Sequence, residues 1–306
     1  MSDLTNKRNT MTETDAEILY NQQLGEWPEF SMRVNQLTSM RVKSFTIANG
    51  VSVSAQFNPA RAVSSGACVD AKSIAHRECF LCEKNRPDIQ RYLPIDNDFR
   101  LLVNPYPILN WHFTIACNKH CKQEIFPYIG NMVDYAALLP HYTLLYNGPQ
   151  CGASAPDHLH FQAVKRGQMP FELEYKNVKN IVLSENADGK IFQLKDFGRK
   201  CIVAESIRRD MIISFFHQIY HQLSVGNGGE EPLMNLFLFY DDNGYHLFFF
   251  LRKAHRPSQY YAQNDDFWMI SPGAIDMGGV LVLPRETDFD RIEKNIICDV
   301  YNQVSR

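Results

Sequence analysis

The chain has 306 residues, 45% hydrophobic and 21% charged, with a net charge of −3. That length can bury a sizeable core in one large domain or two ordinary ones. The charge balance, with a pI near 6.4, makes no whole-chain case for nucleic-acid or membrane-surface binding. The longest apolar run, "LFFFL", falls far short of the roughly 18 residues a membrane span needs.

The opening "MSDLTNKRNT" has no apolar h-region, so no secretory signal is expected and a cytoplasmic location is the default. Eight cysteines in a reducing compartment are expected as thiols. Six of them (68, 117, 121, 151, 201, 298) read as scattered small core residues.

Residues 12–40 mix apolar and polar positions and read as helical. "FTIANGVSVSAQFNPAR" reads as a hairpin about Asn49-Gly50, a strong turn dipeptide. "FRLLVNPYPIL" and "WHFTIACNKH" read as a second strand pair with a Pro-punctuated turn. Residues 123–146 read as a helix ending near "LLYN". The tight loop "GPQCGAS" follows, and then the strand "DHLHFQAV".

Residues 165–200 read as polar loop. In "SIRRDMIISFFHQIYHQLS", Ile212, Phe215, Phe216, Ile219 and Leu223 follow the spacing of an amphipathic helix. "MNLFLFYDDNGYHLFFFLRK" reads as a hairpin, and "GGVLVLPRETDFDRI" as a strand entering a helix. Strands outnumber helices and hairpins join them. The expected fold is therefore α+β, a mainly antiparallel sheet with packed helices. "HFTIACNKH" (112–120) and "HLFFFLRKAH" (246–255) each hold a His, an apolar strand, a basic exit and a second His. Two related halves, 1–165 and 166–306, are one reading of this; two unrelated strands with basic ends are the other.

The chemistry centres on "PDHLHFQAV" (156–164). In a strand, residues i, i+2 and i+4 share a face, so His158, His160 and Gln162 point together while Leu159 and Phe161 face the core. Such a row suits phosphoryl or nucleotidyl transfer. A neutral imidazole is a competent nucleophile near pH 7, and a phosphoramidate splits one hard displacement into two easier ones. The phosphorus needs donors around its oxygens. Gln162 offers an uncharged amide, and Ser154 and the backbone from Gly152 offer more, since glycine lets backbone approach phosphate.

His-apolar-His-apolar-Gln resembles the motif of the histidine-triad superfamily. The likeness is to the Gln-ending branch of galactose-1-phosphate uridylyltransferases, dinucleoside tetraphosphate phosphorylases and GDP-hexose phosphorylases. The resemblance implies a HIT-like fold of two HIT-like halves with one active centre.

 In this branch the middle histidine is the nucleophile, which maps onto His160, and the glutamine that stabilises the nucleotidyl-histidine maps onto Gln162. Gln in place of a third His implies transfer to phosphate or a sugar phosphate rather than to water. "LLYNGPQCGAS" resembles the uridylyltransferase lead-in, which implies Asn147, Gly152 and Ser154 near the phosphates. "DNDF" (96–99) is similar to their Asn-Asp-Phe segment, which implies Asn97 and Asp98 near base and ribose. "AQFNPAR" is similar to a GDP-hexose phosphorylase segment, which makes Arg61 a phosphate or nucleotide contact. Asp157 departs from the pattern, because the uridylyltransferases run Pro-His directly.

Cys79-x-x-Cys82 has the spacing of two corners of a tetrahedral metal site. A bare pair of thiols is the alternative. The resemblance implies a structural zinc held by Cys79, Cys82, His120 and His158; His76, His112 and Cys121 are rival ligands. Arg252, Lys253, His255 and Arg256 leave an apolar strand together. They read either as a solvated strand end or as cations for the leaving phosphate, pyrophosphate or sugar phosphate. The implied partners are a nucleotide sugar or dinucleotide and a phosphate or sugar phosphate, with room for a homodimer and no nucleic acid or membrane.

Overall fold

The structure, a computed structural model, describes residues 11–62, 66, 71–225 and 230–306. The opening ten residues and Cys68 lie outside the described residues. Helix α1 (Glu13–Glu26) starts at Thr12, whose hydroxyl and backbone form a capping box with Asp15. The expected single helical stretch is two helices. Pro28 lacks an N–H and fits only a first turn, so the chain breaks at Trp27 and begins α2 (Pro28–Leu37).

Strands β1 (Val42–Thr46) and β2 (Ser52–Phe57) form the expected hairpin, with Asn49 and Gly50 at positive φ in its turn. Helix α3 (Ala71–His76) precedes the cysteine pair. Strands β3 (Tyr92–Pro94), β4 (Phe99–Val103) and β5 (Phe113–Cys117) follow. Residues 123–146 are not one helix. Helix α4 (Ile129–Leu138) stops before Pro140, and "YTLLYN" becomes β6 (Tyr142–Asn147), buried along its whole length. Then comes β7 (His160–Lys165).

The stretch read as loop holds α5 (Pro170–Glu174) and the hairpin β8 (Asn180–Asn186) and β9 (Gly189–Leu194). Its strand signal was hidden because β8 is an edge strand exposed on both faces. Strand β10 (Cys201–Ser206), helix α6 (Arg209–Ser224) and the hairpin β11 (Met234–Asp241) and β12 (Gly244–Leu251) come next. The chain ends with α7 (Ala274–Met277), β13 (Val280–Leu283), α8 (Glu286–Arg291) and α9 (Lys294–Val304).

Ten strands form one antiparallel sheet in the order β3-β4-β5-β7-β6-β11-β12-β10-β9-β8. The expected α+β class is the one observed. A small sheet, β1-β2-β13, packs on one face, and its β2–β13 pair is parallel. One core lies under α1, α2, α4 and α6. The other lies between the two sheets, with the C-terminal helices.

The large sheet repeats. β4, β5, α4, β6 and β7 recur as β9, β10, α6, β11 and β12, and the spatial order 4-5-7-6 recurs as 9-10-12-11. The repeat therefore matches β12 with β7, not with "HFTIACNKH", which is β5. Laying "HLFFF" of β12 over "HLHFQ" of β7 sets Phe248 and Phe250 against His160 and Gln162. Both phenylalanines are fully buried in the second core, so the second strand carries packing where the first carries polar chemistry.

Candidate functional site

Leu159, Phe161 and Ala163 belong to the first core, and Val164 to the second. The strand's alternation therefore turns His160 and Gln162 toward the second face. His160 is 6% exposed. Its backbone N–H donates to Gln123 Oε1 at 2.8 Å, and its Nδ1–H donates to the carbonyl of His158 at 2.8 Å. A carbonyl only accepts, so the ring's proton is on Nδ1 and Nε2 keeps its lone pair. No protein group bonds Nε2 among the described residues. Burial pushes the imidazole pKa down to about 4, so the ring is neutral near pH 7.

Gln162 is oriented by His112, which binds it rather than a metal. His112 is fully buried, its Nδ1 accepts the N–H of Ile108 at 3.2 Å, and its Nε2–H donates to Gln162 Oε1 at 2.7 Å. Burial pushes this ring down to about 3. With its carbonyl held, Gln162 is left with its NH₂ for a ligand. A His facing the same way as Gln162 on the neighbouring strand was the only sequence signal, because Thr114 of β5 pairs with Gln162.

Arg61, Asn147, Gly152, Ser154, Gln162 and Arg256 line one pocket. Asn147 joins its two walls. Its Oδ1 accepts the N–H of Ala274 at 2.7 Å and an N–H of Asn235 at 2.9 Å. Gly152 has φ +97°, and a Cβ there would lie 2.5 Å from Gly273 Cα, so glycine is required by both backbone and space. The pocket also holds His255, one of the expected strand-exit cations, and Asp276, for which the sequence carried no signal. Burial pushes Asp276 up to about 6, against the N–H groups of Val282 and Gly273 and the charge of Arg61.

Four expected substrate contacts stand outside this pocket's walls. Asn97 and Asp98 form the exposed β3–β4 turn, and their carbonyls accept from Asn118. The pairing of Phe99 with Cys117 carries that turn past the far end of β5. Arg252 is fully buried and donates to Asn235, Pro272, Ala254, His255 and Val304. It holds the loop after β12 rather than facing a ligand. Lys253 is exposed, with its N–H on Val304. The strand ending at Leu251 sends Arg252 inward and Lys253 outward, a choice fixed by the pleat.

Cys79, Cys82, His120 and His158 form a cluster whose ligand atoms all lie within 4.8 Å of one another, and it can hold a metal ion. His158 Nδ1 is 3.2 Å from Cys79 Sγ, and His120 Nδ1 is 3.3 Å from Cys82 Sγ. A tetrahedral Zn–S/Zn–N site has S···N edges of roughly 3.5 Å, so the donor set fits. His158 Nε2–H donates to the carbonyl of Cys117 at 2.8 Å, which leaves Nδ1 as the ligating atom. His76 bonds Lys72 and His112 bonds Gln162, so neither joins the cluster, and Cys121 is also outside it.

The family model described as "GDPGP1-like, C-terminal domain" matches residues 172–306, and "Domain of unknown function (DUF4922)" matches residues 19–165. Among solved structures the chain is similar to yeast Ap4A phosphorylase Apa2, with TM-score 0.61 and 11% identity over 91% of this chain and 96% of that one. Against the same yeast protein in complex with Ap4A, the values are 0.59 and 12%, over 90% and 97%. At such identity the likeness speaks for the fold. No curated protein matches the sequence. Among the described residues no helix is long and apolar enough to cross a membrane.

Proposed function

From the GDPGP1-like match over residues 172–306 and the likeness of fold to Ap4A phosphorylase, we propose that the chain is a nucleotidyltransferase of the histidine-triad-like superfamily, in the branch of uridylyltransferases and nucleotide phosphorylases. Its donor is a nucleoside-diphosphate sugar or a dinucleoside polyphosphate. Its acceptor is phosphate or a sugar phosphate. The observation that carries this reading is the His160 ring, held through Nδ1 with Nε2 unpartnered, two residues from Gln162 at the pocket.

His160 Nε2 attacks the α-phosphorus, an N–P bond forms, and the P–O bond to the leaving phosphate breaks. That group departs as a phosphate anion and needs no proton. The imidazole gains positive charge, which the His158 carbonyl stabilises at Nδ1–H. An acceptor phosphate oxygen then attacks phosphorus, and the N–P electrons return to Nε2. Gln162 and Ser154 donate to the phosphoryl oxygens, while Arg61 and Arg256 offset their charge. Cys79, Cys82, His120 and His158 would hold a zinc ion, which when bound would brace the entrance to β7.

The test is trapping. Wild-type protein incubated with α-³²P-labelled nucleotide sugars or Ap4A, then denatured, is expected to carry acid-labile label, and His160→Ala none. Label that persists in His160→Ala overturns the covalent step. Comparing products with and without added phosphate separates transfer from hydrolysis.

A further inference from the structure

Asp157 stands between the loop that carries Ser154 and the strand that carries His160. Its side chain is 17% exposed. One oxygen, Oδ1, lies 2.7 Å from Arg77 Nη2, and the same Nη2 donates to the Ser154 carbonyl at 3.2 Å. The other, Oδ2, lies 3.5 Å from His120 Nε2, whose Nδ1 faces Cys82. One carboxylate thus reaches the cysteine–histidine cluster on one side and, through a single guanidinium, the pocket loop on the other.

We propose that Asp157 is a positioning residue that fixes His120 as a metal ligand and, through Arg77, sets the position of Ser154. The inference rests on the reading of the cluster as a metal site and of the Ser154 loop as a phosphate contact. A carboxylate on the outer nitrogen of a ligating imidazole orients the ring and raises its basicity. The Asp–Arg contact is charge-assisted, hence short and directional. The two histidines differ in this respect. His158 rests on a backbone carbonyl that no side-chain substitution removes, whereas His120 is half-exposed and has Asp157 as its ion partner.

The test uses the full chain loaded with zinc, in wild type, Asp157→Asn, Asp157→Glu and Arg77→Met. Zinc affinity is read by competition with a chromophoric chelator, and KM and kcat with the best donor. Asp157→Asn is expected to weaken zinc by 10- to 100-fold and to raise KM. Arg77→Met is expected to raise KM with zinc affinity within threefold of wild type. Asp157→Glu is expected to recover part of both losses. Wild-type zinc affinity and KM in Asp157→Asn overturn the proposal alone. A wild-type chain that takes up no zinc ends the metal reading and this proposal with it. If Asp157→Asn does not fold, Arg77→Met and Asp157→Glu decide, and unchanged KM in Arg77→Met overturns the link to Ser154.

Discussion

His112 Nε2 lies 2.7 Å from Gln162 Oε1, although the two residues are fifty positions apart. Because Ile108 donates to Nδ1, the ring can only donate at Nε2, so Gln162 is held with its NH₂ free. Replacing His112 by Leu is expected to lower kcat on the order of 10²-fold, comparable to loss of one transition-state donor. If His112 acts through Gln162, the double variant with Gln162→Ala is no slower than Gln162→Ala alone. Additive losses in that kinetic cycle would contradict the mechanism.

Gly152 meets Gly273 across the pocket, and the same approach makes it intolerant of substitution. Gly152→Ala adds a Cβ 2.5 Å from Gly273 Cα at φ +97°. Left-handed strain alone costs about 1–2 kcal/mol, and the clash pushes the walls apart. A lower melting temperature together with at least tenfold lower kcat/KM is expected. Wild-type kinetics in the variant would show that the loop does not need this contact.

Arg252 and Arg256 leave the same strand with different duties. Arg252→Met unpairs Asn235 and several buried carbonyls, so a loss of roughly 3–5 kcal/mol is expected. Arg256 donates to Ser271 and stacks on Tyr260 at the pocket. Arg256→Met is expected to raise KM several-fold with little change in melting temperature. Calorimetry and steady-state kinetics on the pair separate the two roles.

Asp276 is expected to make anion binding in the pocket pH-dependent. Its carboxyl, pushed up to about 6 by burial, is neutral below that pH and negative above it, with Arg61 and Arg252 facing it. Its folded pKa lies above the unfolded value, so it is neutral at no cost at low pH and costs stability as pH rises through about 4 to 6. Sulfate, whose charge is constant in this range, is expected to bind more tightly at pH 5 than at pH 7.5. Asp276→Asn is expected to flatten that profile. His255, pushed down to about 4, titrates below this window. Titration calorimetry at three pH values checks the sign.

The polar network about His246 was not anticipated from sequence. Its Nδ1 faces Glu205 at 2.9 Å and its Nε2 faces Asp241 at 3.0 Å. Burial would raise both carboxyls, yet the His246 contacts, with Lys190 at Glu205 and the Asn243 N–H at Asp241, hold them below their usual values. This stability is present above the ordinary carboxylate range and is lost as pH falls through the folded pKa values.

The pair of His160 and Gln162 on one strand face was legible because a strand's two-residue period is local, whereas His158, expected in the same strand, lies in the bend before it. Also legible were the Asn49-Gly50 turn, the amphipathic helix at 209–224 and the Cys79–Cys82 pair, since each depends on neighbours along the chain. The tertiary structure decided what no local period encodes. It set Asn147 against Ala274, 127 positions away, gave Gln162 its partner His112, turned Arg252 inward, and placed Asp157 between Arg77 and His120. Those outcomes depend on which distant segments the sheet order brings together, and on the buried polar groups that must then find partners.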